Sequence, residues 1–207
     1  MTSAQPRRRG RPRAYNPEVA LRDARDVFWR NGYAATSLDD LATGMGMNRP
    51  SIYAAFGDKR ALYLRAVAEY AGVGQKTLTD ALAAPSPLRN GLYDLFRGAR
   101  DFYLADDARG CFLLGTAVTE ANRDPEVAAI IEATFAAFTA AFTARFERAA
   151  HQGELADHPP AVLAQIATAA LNNLAVRTRS GASSEVLDAL IDAAVEVICT
   201  DTSGHQE

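Results

Sequence analysis

Residues 36–63 read TSLDDLATGMGMNRPSIYAAFGDKRALY, and this stretch predicts two short helices, a sharp turn and the start of a longer helix. Thr36 or Ser37 can cap the first helix, because a hydroxyl oxygen accepts the unpaired N–H groups of a first turn. Gly44 and Gly46 bracket the predicted turn, since glycine adopts backbone conformations that a Cβ atom forbids. The turn is therefore expected at these two glycines.

The second short helix is predicted over residues 49–56. Asn48 caps its first turn, and Pro50 fits there because the N–H that proline lacks would be unpaired in any case. Gly57 ends this helix, and Asp58 caps the longer helix that follows. Two short helices joined by a tight turn are typical of a helix-turn-helix, whose second helix enters the major groove of DNA. The stretch therefore predicts double-stranded DNA as a partner.

A longer string resembles a known family. Residues 24–42 read ARDVFWRNGYAATSLDDLA, and residues 46–63 read GMNRPSIYAAFGDKRALY. The string is similar to the N-terminal DNA-binding domain of TetR-family transcriptional regulators. This resemblance implies an all-α chain with a three-helix helix-turn-helix domain at its N-terminus. It also implies a C-terminal helical bundle that binds a small-molecule effector and forms a homodimer.

Composition agrees with an all-helical chain of two parts. Hydrophobic residues make up 48% of the 207 residues, alanine dominates them, and residues that favour strands are few. We expect an Arg-rich arm, disordered when free, over residues 1–15. The DNA-binding domain is expected over residues 16–66, and the effector-binding and dimerisation domain over residues 67–207. The boundary then lies inside a helix that both domains share.

Charge is distributed unevenly along the chain. Residues 1–70 contain 12 Lys and Arg against 7 Asp and Glu, whereas residues 71–207 contain 10 against 18. A basic end suits a polyanionic partner, because attraction to phosphates depends on local charge. In the arm, Gly10-Arg11-Pro12 with its flanking arginines resembles an AT-hook, which lies in A·T-rich minor grooves. Two interpretations of the arm are equally good: a solubilising tail, or a segment that inserts into the minor groove. Some contact between the arm and phosphates is favoured.

The second short helix carries most of the candidate DNA contacts. Arg49 has the reach and the forked donors to bind a guanine edge, and Asn48 and Ser51 can reach bases or phosphates. The resemblance implies that Tyr53 and Lys59 contact phosphates, which positions the protein without reading sequence. The resemblance also implies that Thr36 and Ser37 contact the DNA backbone from the preceding helix. The predicted DNA-binding residues are Arg11, Arg13, Thr36, Ser37, Asn48, Arg49, Pro50, Ser51, Tyr53 and Lys59.

Four or five amphipathic helices are predicted after the connecting helix. Cys111, Leu114 and Val118 mark the apolar face of a short one. Asp124 and Pro125 cap and start a long one. The apolar stripe of this long helix is formed by Ile131, Phe135, Phe138, Phe142 and Phe146. Large apolar residues at this spacing are more often core than pocket lining.

The family resemblance nevertheless implies a small-molecule pocket in this region and a homodimer formed by the last two helices. The pocket candidates are aromatic side chains and nearby polar groups: Phe102, Tyr103, Cys111, Phe112, Glu120, Phe135, Phe138, Phe142, Asn172 and Asn173. The dimer candidates are apolar residues of the last two helices: Leu163, Ile166, Leu171, Leu174, Leu187, Leu190, Ile191 and Ile198. A homodimer would place two recognition helices about 34 Å apart, which matches one turn of a palindromic operator.

No residue pattern predicts a catalytic, metal or cofactor site. Cys111 lies near a predicted helix start, where a thiol can be activated, and some relatives of the family sense electrophiles or metals through cysteine. A small buried hydrophobe is the commoner role for such a cysteine. His151 and His158 flank a loop, but two histidines without a third ligand are a weak metal signal. We therefore expect no enzyme, no bound metal and no cofactor.

The sequence therefore predicts a sequence-specific transcriptional regulator, a homodimeric repressor that a small-molecule effector releases from a palindromic operator. The alternative is an architectural DNA-binding protein without an effector. The repressor hypothesis predicts operator binding that weakens when one specific ligand is added. The architectural hypothesis predicts DNA binding with little sequence preference. No uninterrupted apolar run reaches the length of a membrane span, and the Arg-rich N-terminus lacks the apolar core of a signal peptide. We expect a cytoplasmic protein without a membrane partner.

Overall fold

The structure of the chain is a computed structural model that describes residues 15–199, apart from the side chains of residues 106 and 107. Within this range the chain forms nine helices, and its only β-type pairing is an isolated bridge between Leu155 and Cys199. The helices are α1 Pro17–Asn31, α2 Leu38–Gly44, α3 Arg49–Phe56, α4 Lys59–Ala83, α5 Leu88–Ala108, α6 Phe112–Thr119, α7 Pro125–His151, α8 Pro160–Arg179 and α9 Ser184–Ile198. The predicted all-α fold is confirmed.

Local sequence signals set the ends of the first helices. Asn16 caps α1 by accepting two backbone N–H groups of its first turn, and Pro17 occupies the first helical position. Gly32 ends α1 at a φ of 77°, a conformation that favours glycine. Asp58 caps α4, with its Oδ1 atom 2.7 Å from the backbone nitrogen of Ala61. The helix limits in this region follow from short-range chemistry, as the sequence predicts.

Two groups of buried side chains hold the helices together. The first joins α1, α2, α3 and the part of α4 that runs to Ala71, and the second begins on α4 at Leu78. The first group also takes in buried residues of α6 and α7, namely Phe112, Leu113, Val127 and Ile131. The helix-turn-helix region therefore shares a core with two C-terminal helices. The domain boundary predicted after residue 66 stays a prediction.

The second core lies inside the bundle of α5, α7, α8 and α9. Phe96, Phe142 and Phe146 are fully buried there, and the rings of Phe96 and Phe142 stack with their centroids 6.5 Å apart. α8 contacts α5, α7 and α9, so it lies at the centre of the bundle. Burial of these apolar side chains is the main favourable contribution to folding. Phe142 and Phe146 of the predicted apolar stripe are therefore core residues of the bundle, and Ile131 belongs to the first core.

The predicted apolar face of α6 is wrong. Val118 is 78% exposed and Leu114 is only partly buried, whereas Phe112, Leu113 and Thr116 are buried. α6 has eight residues and is apolar almost throughout, so spacing alone does not reveal which face packs. Contacts with α4 and α7 select the face around Phe112.

α7 is the one helix in residues 15–199 that is long and apolar enough to cross a bilayer, judged by length and composition alone. Glu132 and Arg145 interrupt it, so it contains no unbroken apolar run of that length, as the sequence analysis states. Phe142 and Phe146 place one side of α7 in the bundle core, and the buried Arg145 donates to the Ser86 carbonyl oxygen at 2.9 Å. A core helix passes the same composition test, so α7 carries no argument for a membrane.

Candidate nucleic-acid interface and effector region

The helix-turn-helix is built by contacts close in sequence. Ser37 and Asp40 form a capping box on α2: the Ser37 hydroxyl accepts from the Asp40 N–H at 3.1 Å, and the Asp40 carboxylate accepts from the Ser37 N–H at 2.8 Å. Gly44 ends α2 against α1, where a Cβ atom would lie 2.3 Å from Val27 Cγ2. Gly46 turns the chain with a φ of 59°. Both glycines are therefore required for the packing of α2 and the turn that follows.

Replacing Ser37 by alanine should lower the free energy of unfolding by about 1 kcal/mol, because a first-turn N–H of α2 loses its partner. Ser183 is a matched control, since it precedes α9 at the same position but caps no backbone N–H of the first turn, and its side chain hydrogen-bonds the Glu185 carboxylate instead. Ser183→Ala should change the free energy of unfolding by less than about 0.5 kcal/mol. Urea unfolding of both variants at one protein concentration measures the difference, and equal losses would contradict the capping role.

α3 presents a narrow outer face to solvent. Ile52 and Phe56 anchor its inner side in the first core, and Ala55 is partly buried. The exposed residues of the outer face are Arg49, Pro50, Tyr53 and Ala54. Tyr53 exposes 49% of its surface. The arrangement leaves the outer face free to contact a partner.

Three predicted DNA contacts make hydrogen bonds within the fold. Thr36 is buried, and its hydroxyl donates to the Gly32 carbonyl oxygen at 2.6 Å. This burial contradicts a DNA contact by the Thr36 side chain, which instead closes the loop between α1 and α2. The Asn48 side-chain oxygen accepts from the Ser51 N–H at 2.8 Å, so the cap occupies that oxygen and leaves the NH₂ group to donate. Ser37 is exposed, although its hydroxyl belongs to the capping box.

Lys59 stands at the first position of α4, beside the recognition helix. Its Nζ atom lies 4.4 Å from the centre of the Tyr33 ring, which is a cation–π contact. The positive end of the helix dipole lies at a helix start and disfavours a cation there. An anionic partner would therefore stabilise the Lys59 ammonium. Arg11 and Arg13 lie outside the described residues, and their predicted DNA contact stays a prediction.

Arg49 is paired across the turn with an acid of α2. Its guanidinium donates two hydrogen bonds to Asp39, from Nε to Oδ1 at 2.6 Å and from Nη2 to Oδ2. This hydrogen bonding holds the pKa of the Asp39 carboxyl below its ordinary value. The sequence analysis missed the pair because its members lie ten positions apart on different helices.

An aromatic cluster joins the helix-turn-helix region to the bundle. Trp29 of α1 contacts Tyr70 of α4, Phe102 of α5 and Phe112 of α6, with ring centroids 5.2, 6.2 and 5.8 Å away. We call these four residues the boundary cluster. The Trp29 indole N–H donates to the Arg109 carbonyl oxygen at 3.2 Å, and the Arg109 guanidinium lies 4.6 Å from the ring centre. Trp29 thus connects α1 to the loop between α5 and α6.

The same loop is attached to α8. Arg179 donates from Nη1 to the Arg109 carbonyl oxygen at 3.0 Å. Gly110 has a φ of 68°, and a Cβ atom there would lie 2.7 Å from the Ala175 carbonyl oxygen. The close approach and the left-handed backbone both require glycine. The loop therefore links α1, at one end of the protein, to the central helix of the bundle.

A second link joins α4 to the start of α7. Arg60 donates from Nε to Asp124 Oδ2 at 2.6 Å, and from Nη2 to Asp124 Oδ1 at 2.9 Å and Glu126 Oε1 at 3.0 Å. The hydrogen bonds from Arg60 lower the pKa of Asp124 to about 2. Asp124 also caps α7, as predicted. The first turns of α4 and α7 are therefore held together by one ion-pair group.

The ten predicted effector-pocket residues lie at several places in the fold. Phe102 and Phe112 belong to the boundary cluster, and Tyr103 and Cys111 lie beside it. Phe142 is fully buried in the bundle core and reaches no cavity wall. The prediction of a single effector pocket stays a prediction, because helical spacing identifies apolar faces but not which faces oppose each other.

The remaining candidates are also separated. Phe135 and Asn172 line an open groove of about 720 Å³ between α7 and α8, and Phe138 contacts Phe135 with ring centroids 6.5 Å apart. Asn173 is exposed, and Glu120 is buried at the end of α6. The groove is lined by Glu132, Phe135, Ala136, Thr139, Ala140, Thr143, Ala144, Glu147, Gln165, Thr168 and Asn172.

Burial disfavours the reactive form of both cysteines. It raises the pKa of the Cys111 thiol, whose sulfur accepts from the Tyr70 hydroxyl at 3.9 Å. It also raises the pKa of Cys199 to about 11. Because the thiolate is the nucleophile, the buried-hydrophobe interpretation of Cys111 is favoured. Among residues 15–199 no three His, Cys, Asp or Glu side chains are grouped to hold a metal, and His151 and His158 are exposed.

Comparison with known proteins settles the family. Residues 20–66 match the family described as bacterial regulatory proteins, tetR family. The chain is 32% identical over 147 residues to the uncharacterized HTH-type transcriptional regulator YezE of Bacillus subtilis (strain 168), an alignment that covers 70% of this chain and 76% of YezE. The chain belongs to the TetR family of transcriptional regulators.

Two further relatives extend the match over most of the chain. The HTH-type transcriptional repressor ComR of Escherichia coli (strain K12) is 27% identical over 182 residues, which cover 86% of this chain and 87% of ComR. A cysteine-substituted form of the TetR-family regulator CifR, solved with 26-base-pair double-strand operator DNA, is 34% identical with a TM-score of 0.78. That comparison covers 89% of this chain and 98% of the CifR chain. The predicted fold and the predicted role in DNA-binding transcriptional regulation are confirmed, and these relatives are regulators rather than enzymes.

Most residues predicted for the TetR-type dimer surface lie inside the subunit. The six that are buried in the bundle core are Leu163, Leu171, Leu174, Leu187, Ile191 and Ile198. Ile166 and Leu190 are partly exposed. The prediction chose the most apolar face of each helix, and in this fold that face packs against other helices of the same chain. These six side chains are therefore not free to contact a second copy of the chain.

Proposed function

We propose that this TetR-family protein is a homodimeric repressor that binds a palindromic operator and releases it when a small-molecule effector binds. The observation that carries the proposal is the exposed outer face of α3, where Arg49 and Tyr53 project from a capped helix-turn-helix. The relative ComR is named a transcriptional repressor, and CifR was solved with operator DNA. Both support operator binding and repression as the mode of action.

On DNA, α3 occupies the major groove and Arg49 reads a guanine. The Tyr53 hydroxyl and the Lys59 ammonium contact phosphates on either side of that groove. Contacts of this kind position the protein but carry no sequence information. Lys59 is suited to this role because Tyr33 already orients its ammonium at the start of α4.

Two variants distinguish the proposed base-reading role of Arg49 from the proposed phosphate contacts of Tyr53 and Lys59. Arg49→Ala should reduce discrimination at one base position of each half-site by about tenfold. The double variant Tyr53→Ala with Lys59→Ala should weaken binding to every duplex by about tenfold, and should reduce the slope of log affinity against log salt by about 1 for each subunit. Anisotropy titrations at three salt concentrations measure both effects.

The matched control is Lys76→Ala, which removes an exposed lysine of α4 that pairs with Asp80 instead. It should leave DNA affinity within about twofold. Unchanged base preferences in Arg49→Ala would remove Arg49 from the role of reader.

The dimer is assigned to the exposed faces of α8 and α9. Val162, Val176, Val186 and Val197 expose 43 to 51% of their surfaces there, and the exposed Ala169 lies between the two valines of α8. Exposed valines at helical spacing on two adjacent helices form an apolar strip of the type that a homodimer covers. Pairing these faces across a two-fold axis gives a four-helix interface and sets the spacing of the two α3 helices.

The effector is assigned to the groove between α7 and α8. Its volume lies in the range of small-molecule sites, and the hydroxyls of Thr139 and Thr168, 3.2 Å apart, offer polar contacts within it. A ligand there that prefers one position of α7 would act on α4 through the Arg60 and Asp124 ion pair. Release of the operator requires only that the ligand binds the two positions of α7 with different affinity.

Selection of bound DNA from a random duplex pool at near-physiological salt tests the proposal. A palindrome with two half-sites is the expected result, and it supplies the probe for ligand screening. Recovery of no consensus, or of A·T-rich sequence alone, would favour the architectural alternative. Near-physiological salt is essential because low salt strengthens binding that ignores sequence.

A further inference from the structure

The pairing of Arg49 with Asp39 has a geometry that bears on sequence recognition. Both side chains are exposed, with 54% and 68% of their surfaces accessible, so burial does not force the contact. The Asp39 carboxylate uses both of its oxygens, one on Nε and one on Nη2 of Arg49. The pair is therefore a two-point contact that fixes the plane of the guanidinium as well as its position.

A guanidinium has five N–H donors in one plane, and they form two different edges that can bind two acceptors at once. Asp39 occupies the edge formed by Nε and Nη2. The other edge, formed by Nη1 and the outer N–H of Nη2, points away from the carboxylate. Guanine presents two acceptors, O6 and N7, on its major-groove edge. The unoccupied edge of Arg49 therefore has the donors that a guanine requires.

We infer that Asp39 is a positioning residue for base recognition: it holds Arg49 so that the free guanidinium edge meets a guanine and does not reach for phosphates. The inference rests on the proposed role of Arg49 as the base reader. A long arginine without a partner samples many rotamers and is attracted to any nearby phosphate. With its charge matched by Asp39, Arg49 contributes little to binding that ignores sequence, and so Asp39 increases specificity at some cost in general affinity.

Asp39→Asn separates this role from a structural one because the two predict opposite changes. The amide keeps the shape of the side chain, but it removes the charge and one of the two acceptors. We expect affinity for a random duplex pool to rise about threefold, and the salt dependence to become steeper, because two freed arginines now contact phosphates. Discrimination at the position read by Arg49 should fall by about tenfold. If Asp39 only stabilised the first turn of α2, its replacement would instead weaken binding to all duplexes.

The experiment compares four full-length proteins in selection from a random duplex pool and in anisotropy titrations against that pool: wild type, Asp39→Asn, Arg49→Ala and the double variant. Glu18→Gln is the matched control, since Glu18 is an exposed first-turn acid of α1 that pairs with no residue in the described part of the chain. Each variant is checked by thermal unfolding. The expected result is that Asp39→Asn loses the preference at the same base position as Arg49→Ala, that the double variant loses no more, and that Glu18→Gln keeps every preference.

Three results would overturn the inference, and they are distinguishable. If Arg49→Ala changes a base preference and Asp39→Asn does not, Asp39 plays no part in recognition while the proposed reader stands. If Arg49→Ala changes no preference, the proposed role of Arg49 fails and the inference fails with it. A uniform loss of affinity in Asp39→Asn, accompanied by a lower melting temperature, would likewise reduce Asp39 to a helix-stabilising residue.

Discussion

Replacing Ala169 by arginine is expected to convert the proposed homodimer into a monomer and to weaken operator binding by at least about a hundredfold. Ala169 is exposed and lies between Val162 and Val176 on the outer face of α8. In a two-fold interface on this face the new arginine would meet its own copy, and burial of two like charges without partners is strongly unfavourable. A monomer holds one half-site at a time, so it loses the high effective concentration of the second subunit.

Sedimentation velocity at the concentrations of the binding assay measures the oligomeric state, and anisotropy titration with the selected duplex measures affinity. Ala129→Arg is the matched control, because Ala129 is an exposed alanine on α7 rather than on α8 or α9. It should leave the dimer and the operator affinity intact. An Ala169→Arg protein that remains dimeric would show that the two copies meet on other surfaces, and the assignment of the dimer to α8 and α9 would fall.

The helix-turn-helix could be predicted from the sequence because its geometry depends on neighbours in the chain. The caps at Ser37 and Asn48 and the positive φ at Gly46 depend on contacts within a few residues, so single positions reveal them. The exposed face of α3 follows from the 3.6-residue period once Ile52 is placed inside. The family string covers the same residues, and the match over residues 20–66 confirms it.

The effector region and the dimer surface could not be predicted in the same way, because they depend on which helix faces oppose each other. Leu174 and Ile191 are the kind of residue that an interface needs, and the fold uses them inside the subunit instead. The exposed faces of α8 and α9 carry valine, alanine and polar residues, a weak contrast that periodicity does not separate from an ordinary surface. The ion pair between Asp39 and Arg49 was not predicted for a related reason, since the contact crosses a turn between two helices.

The contacts that would carry the proposed response to an effector also could not be predicted from the sequence. A domain boundary inside α4 suggests a rod between two separate bodies, but the structure places Phe112 and Ile131 of the bundle in the same core as α1 and α3. Movement of α6 or α7 must therefore change the packing under the recognition helix. Coupling by a shared core needs no dedicated path of residues, because close-packed side chains cannot shift independently.

Trp29→Ala is expected to lower the free energy of unfolding by about 3 to 5 kcal/mol, the range for removal of a large buried aromatic side chain. Trp29 is buried against Tyr70 and Phe112, and its indole N–H holds the Arg109 carbonyl oxygen. The variant would leave a cavity where α1, α4 and α6 meet. Because that cavity lies between the helix-turn-helix and the bundle, the loss should also weaken the response of DNA binding to an effector.

Trp29→Phe divides this loss into packing and hydrogen bonding. It keeps an aromatic ring in the boundary cluster but removes the donor to Arg109, so most of the stability should be retained and about 1 kcal/mol should be lost with the hydrogen bond. Urea unfolding without DNA, at one protein concentration for all variants, measures both values, since the stability of a dimer depends on concentration. A loss below about 1 kcal/mol in Trp29→Ala would mean that the surrounding helices close over the cavity. The boundary cluster would then be too soft to transmit a movement from the bundle to α1, and the ion pair between Arg60 and Asp124 would be left as the principal link.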